Sequence, residues 1–187
     1  MNRIARLVAL ALGAGAAAWL SWFAYHSSPS SFGAPVPRRA ADVTLYATDG
    51  AQLPVRLLNR PALLVFGYAT CPKTCPLTLR VVNAATQQLP AASRPRAIFV
   101  DVDPRDDPAT LQRFAERYSE VIAATAPADA LARLEISLGM RPIRDEDDVT
   151  NHDARVFVIG EGGVLVGTAV ATAPGELASA LRGMLSP

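Results

Sequence analysis

The stretch GYATCPKTCPLTL, from Gly67 to Leu79, holds both cysteines of the chain. It follows on the apolar run Ala62–Tyr68, whose β-branched and aromatic residues read as a buried strand. From Cys75 to about Leu89 the apolar residues recur at helical spacing. Cys71 and Cys75 therefore fall in a strand-to-helix turn and in the first helical turn, with Thr74 the expected N-cap. Pro72 and Pro76 are tolerated there, where backbone N–H groups have no helical partner. Those N–H groups and the partial positive charge of the helix start favour thiolate over thiol, and Lys73 between the cysteines adds to this. A buried strand that feeds a helix back over its own sheet restricts the chain to an α/β architecture. The carboxyl end of such a strand is where these folds open their functional crevices.

The rest of the chain is consistent with that frame. A short strand is expected near Val43–Tyr46, and a strand over Ala97–Val102 follows the cysteine helix. A helix over Asp107–Tyr118, a strand over Val121–Ala124 and a helix over Ala128–Leu138 come next. Strands Arg155–Ile159 and Val164–Ala169 are expected to form a hairpin through Glu161-Gly162-Gly163, before a last helix over Pro174–Leu185. The expected fold is a mixed sheet with a parallel core, flanked by helices, with an antiparallel hairpin at its end.

Ahead of this domain, Arg3 and Arg6 precede an uncharged run from Leu7 to Tyr25. About 19 residues span roughly 28 Å as a helix, enough to cross a bilayer. Trp19, Trp22 and Tyr25 gather at its far end, where amphipathic rings favour the interface. Residues 1–26 read as an uncleaved membrane anchor; cleavage after Ala16-Ala17-Ala18 is the alternative, and would leave WLSWFAY as a new terminus. Either way the domain is exported; with the arginines staying inside it faces the periplasm, and the uncleaved anchor holds it at the inner, cytoplasmic membrane. His26 beside the anchor reads as a solvated interfacial residue. Residues 27–40, rich in Ser and Pro, read as a linker, and residues 41–187 as one domain. A net charge of +1, without a basic stripe, gives no reason to expect a nucleic-acid partner.

Export matters to the cysteines, because thiols outside the cytosol tend to oxidise. A purely structural disulfide is a poor reason for this pair: it would close a very short loop, against the roughly 3 kcal/mol expected for a fifteen-residue one. A redox couple and a metal site remain. A metal site needs a third ligand, and the only histidine of the domain is His152, in DVTNHDARVFVIG. A lone loop histidine is usually solvated, but two thiolates and an imidazole form a soft set that suits Cu(I) and adapts to Cu(II). The set lacks the fourth protein ligand of a closed zinc site. Asp101 and Asp103 read as turn and cap residues rather than a carboxylate metal pair. Met140 reads as a packing residue rather than an axial ligand.

The stretches LLVFGYATCPKTCPLTL, IFVDVDPRDDPATLQRFAERY and TNHDARVFVIGEGGVLV resemble, in order and spacing, the Sco/SenC family of thioredoxin-like copper proteins. The resemblance covers about residues 42 to 186 and extends to the membrane anchor. It implies a thioredoxin fold with added hairpins, and delivery of copper to the binuclear centre of cytochrome c oxidase subunit II or another acceptor. It also implies Cys71, Cys75 and His152 as copper ligands. Some members of the family are thought to act as thiol–disulfide reductants, so a membrane-anchored oxidoreductase in which Cys71 and Cys75 are the redox pair, working with a thiol reductant, is the second reading. Lys73 stands where the family usually has an acidic residue, Asn151-His152-Asp153 where it usually reads Asp-His-Ser, and the block from Asp103 to Pro108 is one residue short. None of these departures removes a ligand. His152 separates the two functions, since redox exchange needs only the sulfurs.

Overall fold

In the computed structural model, which describes residues 38–141 and 155–185, alternating apolar runs become strands and helices in the order the sequence suggests. The N-terminal part contributes β1 (Arg38–Arg39), β2 (Thr44–Ala47), β3 (Gln52–Pro54) and β4 (Ala62–Gly67). Then come α1 (Thr74–Gln87), β5 (Arg96–Asp101), α2 (Pro108–Ala115), β6 (Val121–Thr125) and α3 (Ala128–Ser137). The last elements are β7 (Arg155–Ile159), β8 (Val164–Val170) and α4 (Pro174–Leu185). All strands join one eight-stranded sheet in the order β1-β8-β7-β4-β5-β6-β2-β3. β4, β5 and β6 run parallel at its centre, and β7 lies antiparallel against β4.

Burial explains the centre. Every residue of β4 is buried, because the sheet is covered on both faces and side chains alternate between them. Leu63 and Val65 enter one core with Leu79, Val82, Phe99, Phe114 and Leu181, from beneath α1, α2 and α4. Leu64 and Phe66 enter the other, with Leu45, Ile98, Leu134 and Phe157. The expected hairpin forms, with β7 and β8 antiparallel across a turn at Glu161–Gly163. Gly162 and Gly163 in that turn have φ of +67° and +74°, which favours glycine.

Two strands were not expected. β1 is a pair of exposed arginines with no apolar period, and it exists because its backbone pairs with β8. The Ala40 N–H donates to the Gly163 carbonyl at 2.7 Å, and Ala40 itself is fully buried. The globular domain therefore starts by Arg38, inside the stretch read as linker. β3 is short and half polar, and is held by β2. Among the described residues, no helix is long and apolar enough to cross a membrane. The expected anchor, His26, the linker up to residue 37 and His152 lie outside the described residues.

Candidate metal centre

The site begins where β4 ends. The Gly67 carbonyl still accepts the Val102 N–H at 2.9 Å, which ties the end of β4 to the residue following β5. The chain then turns: the Cys71 N–H donates to the Tyr68 carbonyl at 3.2 Å. Asp106 fixes the turn from outside, its carboxylate accepting the N–H of Ala69 and, at 3.4 Å, that of Thr70. Both cysteines are thiols, 6% and 2% exposed, packed into the core beneath α1.

The helix start differs from expectation. α1 begins at Thr74, so the cap position falls on Lys73, which makes no side-chain cap. The sulfur of Cys71 takes that part, accepting the Cys75 N–H at 3.3 Å. A sulfur held against the open N–H groups of a helix is stabilised as an anion. Burial opposes ionisation of Cys71, yet hydrogen bonds from the Cys75 and Lys73 N–H groups, the Cys75 thiol and Tyr68 hold its thiol below the ordinary value. Cys75 goes the other way. Its burial, with the neighbouring Cys71 and the Asp101 carboxylate adding to it, pushes its thiol up to about 12. Cys71 is then the sulfur that ionises first and Cys75 the one that stays protonated, as expected when two like charges would share a buried site. Tyr68 is raised in turn, first by its own burial and then by the charge on Cys71.

This asymmetry makes a direct expectation for the metal-free, reduced protein. Iodoacetamide should label Cys71 faster than Cys75 at neutral pH. A thiol with a pKa near 12 presents roughly a hundred-thousandth of its population as thiolate there, so in Cys71→Ser protein labelling of Cys75 should be at least about a hundredfold slower than for an ordinary thiol. Equal rates at the two sulfurs in the single-serine variants would contradict the assigned asymmetry.

The other sequence candidates separate cleanly. Asp103 is bound bidentately by Arg105, at 2.8 Å from Nη2 to Oδ2 and 2.8 Å from Nε to Oδ1, and also accepts the Arg105 N–H. It closes a turn, as expected, and the helix cap passes to Asp107, which accepts the Thr110 N–H at 2.9 Å. Met140 is buried in the core on the opposite face of the sheet from the cysteines. Asp101 is different: it is 3% exposed, within electrostatic reach of Cys75, and its own burial, then Asp106 and Asp103, raise its carboxyl to about 7. Sequence reading missed Tyr68, Asp106 and Gly67. An ideal Cβ on Gly67 would lie 2.6 Å from the Cys75 sulfur, so only glycine leaves that sulfur its place. Among the described residues no three His, Cys, Asp or Glu side chains converge as a metal site.

The family model described as SCO1/SenC matches residues 38–186. The chain belongs to that family. A protein of Stutzerimonas stutzeri whose name describes it as copper-binding is 29% identical over 143 residues, 71% of this chain and 70% of that protein. The mitochondrial protein SCO2 homolog of Bos taurus is 26% identical over 113 residues, which cover 54% of this chain and 42% of the bovine one. Among solved structures, Bradyrhizobium japonicum ScoI with copper bound superposes with a TM-score of 0.59 at 25% identity, covering 82% of this chain and 100% of that one. The mixed sheet flanked by helices is thus the thioredoxin-like fold of the SCO1/SenC proteins.

Proposed function

We propose that this SCO1/SenC protein is a copper metallochaperone that binds copper through Cys71, Cys75 and His152 and delivers it to the binuclear centre of cytochrome c oxidase. The observation that carries the reading is the cysteine pair itself: two buried sulfurs at a helix start, one of them held against the Cys75 N–H and favoured as thiolate. Such a soft donor pair fits Cu(I), whose charge stabilises the second thiolate that burial alone disfavours. Support also comes from the copper-bound state of Bradyrhizobium japonicum ScoI. β7 pairs Val156 with Val65, so the chain enters β7 at the sheet end where β4 delivers the cysteines. His152 lies three residues before β7. The anchor over residues 7–25 would hold the domain in the periplasm, at the membrane where an oxidase acceptor resides.

The test is copper titration of the reduced full chain in detergent. One equivalent should bind tightly, oxidation of the sulfurs should abolish binding, and Cys71→Ser/Cys75→Ser protein should bind none. His152→Ala should weaken binding by about tenfold or more, and salt-washed membranes should retain the protein. Copper binding by the double serine variant equal to wild type would end the proposal.

The unequal thiols favour a second reading, a thiol–disulfide reductase. The Cys71 thiolate would attack a partner disulfide and expel one partner thiolate, forming a mixed disulfide. Cys75, losing its proton, would then attack the Cys71 sulfur and release the second thiolate, so two electrons pass to the partner. His152→Ala should leave that exchange unchanged.

A further inference from the structure

The helix that carries Cys75 has a second face. Residues 73, 77 and 80 follow one another at helical spacing, and the Leu77 N–H donates to the Lys73 carbonyl at 3.2 Å. Cys75, Thr78, Leu79 and Val82 turn inward, whereas Lys73, Leu77 and Arg80 are exposed, Leu77 at 47%. Arg80 Nε donates to the Pro76 carbonyl at 3.3 Å, and the Tyr118 hydroxyl donates to the same oxygen at 3.4 Å. The chain beyond α2 is thereby seated against the first turn of α1. Arg117, whose guanidinium lies 4.7 Å from the Phe114 ring centroid, and Arg80 both act electrostatically on the Tyr118 phenol. Lys73 and Arg80 thus flank the exposed Leu77 one helical turn to either side, and Arg117 joins Arg80 in acting on the Tyr118 that bonds the same first turn of α1.

The described carboxylates of this region are hydrogen-bonded or ion-paired to other groups. Asp106 serves the Ala69 and Thr70 N–H groups, Asp103 is held by Arg105, Asp107 caps α2, and Glu116 accepts from Gln112 at 3.0 Å. Among the described residues, Lys73, Arg80 and Arg117 form no ion pair. An exposed apolar residue flanked by cations that form no ion pair among the described residues, with Arg among them, has the make-up of a protein interface and of an electrostatically steered one.

We infer that Lys73, Leu77, Arg80 and Arg117 form a docking surface for a partner protein that presents carboxylates around an apolar contact. The inference rests on the proposed exchange of copper or electrons at Cys71 and Cys75, and it names the charge of the partner face that approaches them. A protein is the occupant, because a lipid surface offers no sulfur to receive either cargo.

The test needs no copper, so it stays readable if copper binding fails. Full-length Cys75→Ser protein leaves the Cys71 thiolate to attack the peptide sulfur of an activated mixed disulfide, expelling coloured thionitrobenzoate. Two peptides are compared, one with glutamates flanking the cysteine and one with lysines. Their rate ratio cancels the intrinsic reactivity of Cys71. At low ionic strength the glutamate peptide should react about tenfold faster, and the preference should collapse in high salt. Adding Arg80→Gln/Arg117→Gln should bring the ratio towards one, and Arg80→Glu/Arg117→Glu should invert it. Both pairs of changes should leave the rate with a neutral small disulfide unchanged. A wild-type ratio near one, or a ratio indifferent to the arginines, overturns the inference. So does arginine-dependent binding of vesicles rich in anionic phospholipid without a peptide preference, which would assign the surface to the membrane.

Discussion

Gly67→Ala is expected to destabilise the protein by about 1–3 kcal/mol and to displace the Cys75 sulfur. Gly67 is the last residue of β4 and pairs with Asp101 across the parallel ladder. A Cβ there would sit 2.6 Å from Cys75 Sγ and 2.9 Å from Phe99 Cε2. Neither neighbour can yield freely. Phe99 is fully buried against Phe114, with ring centroids 5.0 Å apart, and Cys75 is fixed at the start of α1. The substitution must therefore tilt the helix start or drive the sulfur off its rotamer, and either move alters the distance between the two thiols. Denaturant unfolding and copper affinity should fall together in Gly67→Ala. A double-mutant cycle with Cys75→Ala should recover part of the stability, because it removes one of the two collisions. A change within about 0.5 kcal/mol with unchanged copper affinity would show that the turn relaxes without strain.

The same corner shows what a sequence can and cannot carry. The buried strand, the cysteine turn and the helix after it were legible because each is written in local pattern: an apolar run, two prolines, a helical period. The N-cap was not legible. Thr74 has the right chemistry for a cap, but the cap position falls on Lys73, whose side chain does not cap. The Cys71 sulfur accepts the Cys75 N–H instead, and sulfur is absent from the usual list of capping groups. Asp106 was hidden for another reason. Its partners, the N–H groups of Ala69 and Thr70, lie far away in sequence and come close only because β4 and β5 are parallel neighbours. β1 was hidden because a pair of arginines carries no period, and its strand character comes entirely from β8. Copper chemistry is legible only when His152 and the family resemblance are added to Cys71 and Cys75, because the cysteine spacing alone leaves a redox couple and a metal site open.

Asp101 leads to the largest pH effect expected of the fold. Its carboxyl is buried at the end of β5, and desolvation, with Asp106 and Asp103 behind it, raises it from 3.8 to about 7. The folded state therefore holds this proton more tightly than the unfolded chain does. Stability from this group is fully present below pH 3.8 and declines as pH rises, until the loss is complete above about 7. At 1.36 kcal/mol per pH unit the total approaches about 4 kcal/mol, an upper bound because the site can relax around the charge. Asp103 works in the opposite sense: its hydrogen bonds and ion pair with Arg105 lower its carboxyl, so its contribution is lost on acidification. The overall pH profile mixes the two, and the difference between wild type and Asp101→Asn isolates the first. Asparagine keeps an oxygen for the Asp103 N–H that Asp101 now accepts at 3.2 Å. In reduced, metal-free protein the two should unfold alike near pH 4, and Asp101→Asn should be more stable by a few kcal/mol at pH 8. Parallel stability curves across that range would mean that Asp101 ionises as freely in the folded protein as in the unfolded chain. If the gap does open, the same buried charge stands next to Cys75 at working pH and helps to keep its sulfur protonated until a cation arrives.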